Sequence, residues 1–518
     1  MKKLGLGIFL VLTLLVQSKT TVKAAFNPDL NGDGVVNAID YALFIPKFGN
    51  PYTLLDYNTF LGSFGKTVAT NKMQVGVIYG GLTSNNHKQR NATSAILAHP
   101  EWQSLWPYFT VVRSGDTIQI DQDDQRIVDQ EIQLSSTAGI NFWIFEGMPT
   151  PDAENVIGEL NMYMNSQYKS SLKFSLLIAP DDLTQTNWQQ KYIPLLTGYL
   201  KDPQYVKVKN GQPVLSIMLF DNLVKSLGEA GAKQRMLDFS NAMQSSLGVK
   251  PYLSMVDLGS STSYAKAKYF GFDARSSYLG SPYAVYNVHG SPFSKMADGT
   301  ATYWDTFKNS DLDYIPSVST GLDGRPRGQD LYSGMGWNAN SAWTQKATPQ
   351  EIGNLTTRAV NWVKNNSKVT SAHILTISEW SDVAEGQWIL PTLGDGNGRL
   401  NAIAKALGGK QMATPISPYV DNPPPLPPTD PVTINAPIVS GATVKANQPI
   451  HITGKADIAA RITMQLGAST YSFVNYKGST FGTASFAIDM PALPAGGPYT
   501  LSVNGDVVPL KITNIMVK

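Results

Sequence analysis

Between Met73 and Leu407 the chain alternates short apolar runs with longer amphipathic stretches, and this alternation constrains the fold more than any other feature. Eight runs stand out: Gln74–Gly80, Gly139–Glu146, Lys173–Ala179, Pro213–Phe220, Pro251–Leu258, Gly271–Tyr278, Tyr314–Thr320 and Ala372–Glu379. Each has the length of a strand, and most intervals between them are long enough for a helix. The pattern predicts an α/β architecture, a (β/α)8 TIM barrel. An open doubly wound sheet would use the same alternation. However, no GxGxxG or GxxxxGK[ST] phosphate loop follows any of the runs.

Several runs end in polar or aromatic residues, and strand ends converge at the C-terminal mouth of a barrel. Tyr79 closes the first and Glu146 the second, and Asp257 lies near the end of the fifth. Asp273 and Tyr278 mark the sixth, and Asp323, Arg325 and Arg327 follow the seventh. The eighth runs into Ser378-Glu379-Trp380-Ser381-Asp382-Val383-Ala384-Glu385-Gly386, with Trp388 just beyond. Two carboxylates beside an indole match what cleavage of a glycosidic bond requires: one acid for the leaving oxygen, and a second carboxylate as base or nucleophile. Glu379 and Glu385 are therefore the expected catalytic pair, with Asp382 as the alternative partner of Glu379. Tyr79, Glu146, Asp257, Asp273, Tyr278, Asp323, Arg325, Arg327, Trp380 and Trp388 are the expected substrate-binding residues, and a polysaccharide or glycan is the expected substrate. The competing class is a non-catalytic carbohydrate-binding or cell-surface scaffold protein.

Composition narrows the partners. The 518 residues carry a formal charge of +2, without a basic stripe, which argues against nucleic acid. Cysteine is absent, which excludes thiol catalysis, cysteine-based zinc sites and iron–sulfur clusters. The 5 histidines are dispersed and form no HExxH pair. Residues 1–24 read as a signal peptide: Lys2-Lys3, an apolar centre from Leu4 to Val16, and Val22-Lys23-Ala24 before the cut. That centre is shorter than the ~20 residues that span a bilayer, and no later stretch is long and apolar enough. A secreted protein, extracellular or periplasmic, is expected.

Two smaller modules flank the barrel, assigned to residues 73–410. Residues 29–40 place oxygen ligands at calcium-loop positions: Asp29, Asn31, Asp33, the Val35 carbonyl, Asn37 and Asp40, with Gly34 at the sharp turn. A structural calcium ion is expected there, and no cofactor for catalysis. Ile39 to Gly49 then recurs as Leu55 to Gly65, which predicts two similar short helices in an EF-hand-like segment over residues 27–66. Residues 418–431 form a Pro-rich linker, and residues 432–518 alternate strands and Gly-rich turns as a small β-sandwich does.

The block Ser378-Glu379-Trp380 through Glu385-Gly386 and Leu390-Pro391 resembles the Asn-Glu-Trp-x-Glu-Gly…Glu-Pro signature of glycoside hydrolase family 99-like and WbsX-like barrels. Gly321-Leu322-Asp323-Gly324-Arg325-Pro326-Arg327, Gly139-Ile140-Asn141-Phe142 and Tyr205 to Val214 are similar to further segments of those barrels. The resemblance implies a TIM barrel acting on glycans, with the two glutamates of the signature at Glu379 and Glu385. This chain spaces them six apart where the family has three, so Asp382 stands at the family's second position. Residues 27–66 resemble a dockerin with one calcium loop, which implies a cohesin-like partner. Leu493 to Leu501 and Leu510 to Met516 resemble the β-sandwich of sialate O-acetylesterases, whose Gly-Gln-Ser-Asn block is missing here.

Overall fold

The computed structural model describes residues 30, 38–49, 57, 60, 61, 73–80, 93–114, 117–149, 157–208, 211–259, 261–280, 289–328, 342–423, 433–457, 461–474, 483–505 and 510–518. The signal-like segment and Asp29, Asn31, Asp33, Val35 and Asn37 of the calcium loop lie outside them. Residues 1–72 and 73–518 form separate units.

In the first unit, Asp40 lies in a short helix, Ala38–Phe44. The repeated aromatics meet reciprocally: Phe44 stacks on Phe60 with centroids 5.3 Å apart, and Tyr41–Phe60 and Phe44–Tyr57 are both 5.9 Å apart. Equivalent residues of the two copies thus bury each other, as an internal repeat would require.

The second unit contains a closed, all-parallel barrel. Its strands are β1 (Gln74–Tyr79), β2 (Phe142–Glu146), β3 (Lys173–Ile178), β4 (Val214–Ile217), β5 (Tyr252–Asp257), β6 (Ala274–Ser277), β7 and β8 (Ile374–Ser378). β7 is interrupted at Pro316, which has no N–H for the ladder. Its first part, Asp313–Ile315, pairs with β6, and its second, Ser317–Ser319, pairs with β8. The strand order begins and ends on these two parts of β7, which are consecutive in the chain, so the sheet closes through this strand. All eight runs expected from the sequence are strands of this barrel.

Helices α1 (Gln125–Thr137), α2 (Ile157–Asn165), α3 (Trp188–Leu200), α4 (Phe220–Leu247), α5 (Phe293–Asp305), α6 (Pro349–Asn365) and α7 (Gly398–Leu407) fill the intervals, except between β5 and β6. A Thr348/Glu351 capping box starts α6. Strand alternation sorts the core into two layers. Val75, Val77, Trp143, Phe145, Leu375 and Ile377 face the helices, while Ile78, Phe142, Ile144 and Ile374 fill the interior. Gly76 makes room for Phe142, whose ring would lie 2.3 Å from any Cβ there. Only about 20 Å³ stays open inside, so the barrel is a packed core and chemistry is confined to its ends.

Residues 433–518 contain a sandwich of a three-stranded and a five-stranded sheet, whose facing residues form a core separate from that of the barrel. The barrel core extends past residue 410. Tyr419 is buried, and its hydroxyl donates to the Asp121 carbonyl at 3.0 Å. A chain ending at Asn422 is therefore expected to melt as the full-length barrel does. One ending at Ser417 is expected to lose about 3 kcal/mol, the usual cost of deleting a buried aromatic ring. Equal melting of the two truncations would show that Tyr419 contributes nothing.

Candidate active site

The C-terminal mouth gathers four carboxyl groups from two strand ends, with a phenol from a third. Phe142, Ile144 and Glu146 share the inward face of β2, and Ala274, Ser276 and Tyr278 share the inward line of β6. Glu379 directly follows β8, and its carboxyl lies over the end of β1. A Cβ on Gly80 would fall 2.5 Å from Glu379 Oε2, so glycine is what admits this acid, with Glu146 Oε2 4.0 Å from the same point. The Tyr278 hydroxyl reaches Glu146 Oε2 at 2.6 Å and Glu379 Oε1 at 2.5 Å. The nearest oxygens of the two carboxyls are thus no farther apart than those two bonds laid end to end. One phenol can donate only once, so the second hydrogen bond needs a proton from one of the carboxyls. Glu146, Tyr278 and Glu379 therefore share two protons when both bonds are formed.

The other two acids sit on the loop after β8. Asp382 caps the turn Val383–Glu385 by accepting the Glu385 N–H at 3.0 Å. Arg327, on the turn after β7, donates to both Asp382 oxygens at 3.1 and 3.0 Å and also to Glu385. Ser381 donates to the Gly80 carbonyl at 2.6 Å and Ser378 to Gln387 Oε1 at 2.8 Å, which ties this loop to β1 and β8.

Burial and crowding then set the charge. Glu379 is 2% exposed, and burial pushes its carboxyl well above the usual range, reinforced by Asp382, Glu146 and Glu385. Burial also raises Glu146 and Asp382, with Arg327 opposing in each case. Glu385 is pushed up to about 8 by burial, against the pull of Arg327. Asp382 and Glu385 keep 14% and 16% of their side-chain surface and touch a guanidinium, whereas Glu379 is hydrogen-bonded to a phenol. Glu379 is therefore the member that holds its proton longest, while Asp382 and Glu385 have in Arg327 a counter-charge that favours their ionised forms.

Other expected site residues lie elsewhere. Tyr79 follows the helix-facing line of β1: its hydroxyl donates to Glu131 at 2.5 Å, and its ring packs 4.4 Å from Trp143. Trp380 is fully buried against Trp143, so it is core and not a sugar platform. Asp257 caps its own loop, accepting from the N–H groups of Gly259 and Ser261. Asp273 precedes β6 and pairs with Lys250 at the opposite end of the barrel, because the strand starts later than its apolar run suggests. Asp323 and Arg325 bind each other bidentately and, with Trp388, line a separate cavity. Sequence reasoning missed Trp102, Trp343, Glu131 and Arg399, none of which stands at the end of a barrel strand. Among the described residues, no group of three or more His, Asp or Glu could hold a metal ion, and no helix is long and apolar enough to cross a membrane.

Glu131, on α1 behind β1, accepts from Tyr79 and Gln122 and is pushed up to about 7 by burial. The folded state then holds a proton that the unfolded chain releases near ~4.3. The stability this contributes is complete below that value and is lost as pH rises through about 7. Glu131→Gln should therefore flatten stability between pH ~4 and ~7, removing roughly 3 kcal/mol of slope. Parallel denaturation curves for the two proteins across this range would contradict the assignment.

No family model matches the chain, and no curated protein matches it. Among solved structures it is similar to a GH99 endo-alpha-mannosidase from Bacteroides thetaiotaomicron, at 12% identity over 65% of this chain and 97% of that one, with a TM-score of 0.42. A glycoside hydrolase-like protein matches at 14% identity over 65% of this chain and 94% of that one, with a TM-score of 0.41. A carbohydrate acetylesterase from Xanthomonas citri matches at 26% identity over 17% of this chain and 19% of that one, with a TM-score of 0.15. Overlap this slight transfers no activity, so function rests on the side chains.

Proposed function

We propose that this chain hydrolyses glycosidic bonds, with Glu379 as the acid that protonates the leaving oxygen. The observation that carries this reading is the mouth cluster: a buried Glu379, hydrogen-bonded to Tyr278, beside two carboxyls that share one guanidinium. Acid and base roles require two carboxyl groups whose surroundings separate their proton affinities. Glu379 has burial and anionic neighbours on its side, while Glu385 has Arg327 to favour its charged form. Glu385 is the partner in this reading, serving as base or nucleophile. Asp382 shares Arg327 and holds the backbone of Glu385, which makes it a positioning residue. A glycan outside the cell is the proposed substrate, in keeping with the signal-like start of the chain.

The shared Tyr278 hydroxyl favours a second reading, in which Glu146 is the partner. Two carboxyls that reach the same phenol oxygen suit the ~5–5.5 Å separation of retaining enzymes. A reducing-end screen over soluble polysaccharides, followed by Glu385→Gln and Glu146→Gln on the substrate found, separates the two. Loss confined to the Glu385 variant supports the first reading, and loss confined to the Glu146 variant supports the second. Turnover that neither variant alters would reject both pairings, and turnover of no polysaccharide would leave a carbohydrate-binding protein.

A further inference from the structure

Beside the acid cluster lies a cavity of about 310 Å³, lined by Trp102, Trp343, Trp388, Asp323, Arg325 and Lys346 among others. It shares a wall with the cluster. Gly386, next to Glu385, lines it, and the Asp323 N–H donates to the Glu385 carbonyl at 2.6 Å. Arg325 faces the cavity, and Arg327, two residues on, clamps Asp382 and Glu385.

The two cations in the lining are already engaged. The Arg325 guanidinium lies 3.7 Å from the Trp343 ring centroid and 5.7 Å from that of Trp102, and its charge is met by Asp323. Lys346 is paired with Asp395 at 2.8 Å. Trp388 is buried, with Arg399 3.4 Å and the Lys346 ammonium 5.6 Å from its ring centroid, so it forms the floor of the cavity, while the half-buried Trp102 and Trp343 form its walls. Glu101 adds a carboxylate to a lining whose two cations are paired, which disfavours an acidic ring, and the indoles suit an uncharged ring that has one apolar face and hydroxyls at its rim. The volume stands at the small end of the ~300–1,000 Å³ typical of small-molecule clefts.

We propose that this cavity is a subsite for a neutral pyranose unit of the substrate chain, flanking the bond that is cleaved. The proposal rests on the glycan-hydrolase reading for its catalytic consequence, but its binding consequence can be tested alone. The test uses the full-length Glu379→Gln protein, with and without Trp102→Ala, in affinity gels containing yeast mannan, xylan, mixed-linkage β-glucan or polygalacturonate. A neutral polymer should retard the Glu379→Gln protein, and Trp102→Ala should weaken that retardation about tenfold. In the active protein, Trp102→Ala should raise KM about tenfold for long chains and leave kcat within about twofold. Oligosaccharides too short to reach the cavity should show no effect. Retention dependent on Trp102 without turnover would keep the subsite and reject the hydrolase reading. Turnover with an unchanged KM in Trp102→Ala, retention only by polygalacturonate, or retention by no polymer would overturn the subsite.

Discussion

Glu379→Gln is expected to abolish turnover, lowering kcat by ~10²–10⁴, the usual worth of a positioned acid or base. The change is close to isosteric and deletes a buried proton-binding group whose affinity the fold has raised. Folding should therefore survive, and stability above neutral pH should not fall, because an ionised Glu379 is what the site disfavours. Binding should persist, since Arg325, Trp102 and Trp388 are untouched. Where Glu379 must be protonated and its partner ionised, the rate should decline on an alkaline limb as Glu379 loses its proton, and on an acid limb as the partner gains one. Both limbs should lie higher in pH than unperturbed carboxyls would place them. Near-normal kcat in Glu379→Gln would remove this residue from the mechanism.

Arg399→Met should give the largest stability loss, about 3–5 kcal/mol. Arg399 is 1% exposed and joins three segments through their carbonyls: Thr320 after β7 at 3.0 Å, Ala347 at 3.0 Å and Trp388 at 3.1 Å. Asp395 accepts from Nε at 2.8 Å, which offsets part of the burial that brings the guanidinium down to about 10. Methionine can match the volume but donates nothing, leaving three carbonyls without this partner. Because these segments carry the loop of Glu385 and the wall of the cavity, activity should fall as well. Urea denaturation of the wild type, Arg399→Lys and Arg399→Met should give that order of stability. A Met variant within about 1 kcal/mol of wild type would mean that water replaces the guanidinium without cost.

Much of the scaffold was legible before folding. Fully buried parallel strands must be apolar along their length, so Val75-Gly76-Val77-Ile78 and Ile374-Leu375-Thr376-Ile377 announce themselves. The location of Glu146, Tyr278, Glu379, Asp382, Glu385 and Arg327 followed from their standing at or just beyond strand ends. Tyr79 and Trp380 were misread because standing at a strand end does not say which way a side chain points. One residue's difference in phase sends a ring to the helices instead of the mouth. Asp273 was misread because an apolar run and the paired strand within it need not begin together.

The sequence by itself determined that the chain would build an eight-unit α/β barrel with acids concentrated after its last strand, because period and composition are local properties. The tertiary structure alone decided which acids meet. Glu146 and Glu379 share one hydroxyl, and Arg327 joins Asp382 to Glu385, because barrel closure brings strand ends far apart in sequence to one mouth. Proton affinity was likewise undecidable from sequence, since it depends on water excluded and charges gathered across those ends. The aromatic cavity is the clearest case: Trp102, Arg325, Trp343 and Trp388 carry no common motif and become one surface only when the loops after β1, β7 and β8 pack together.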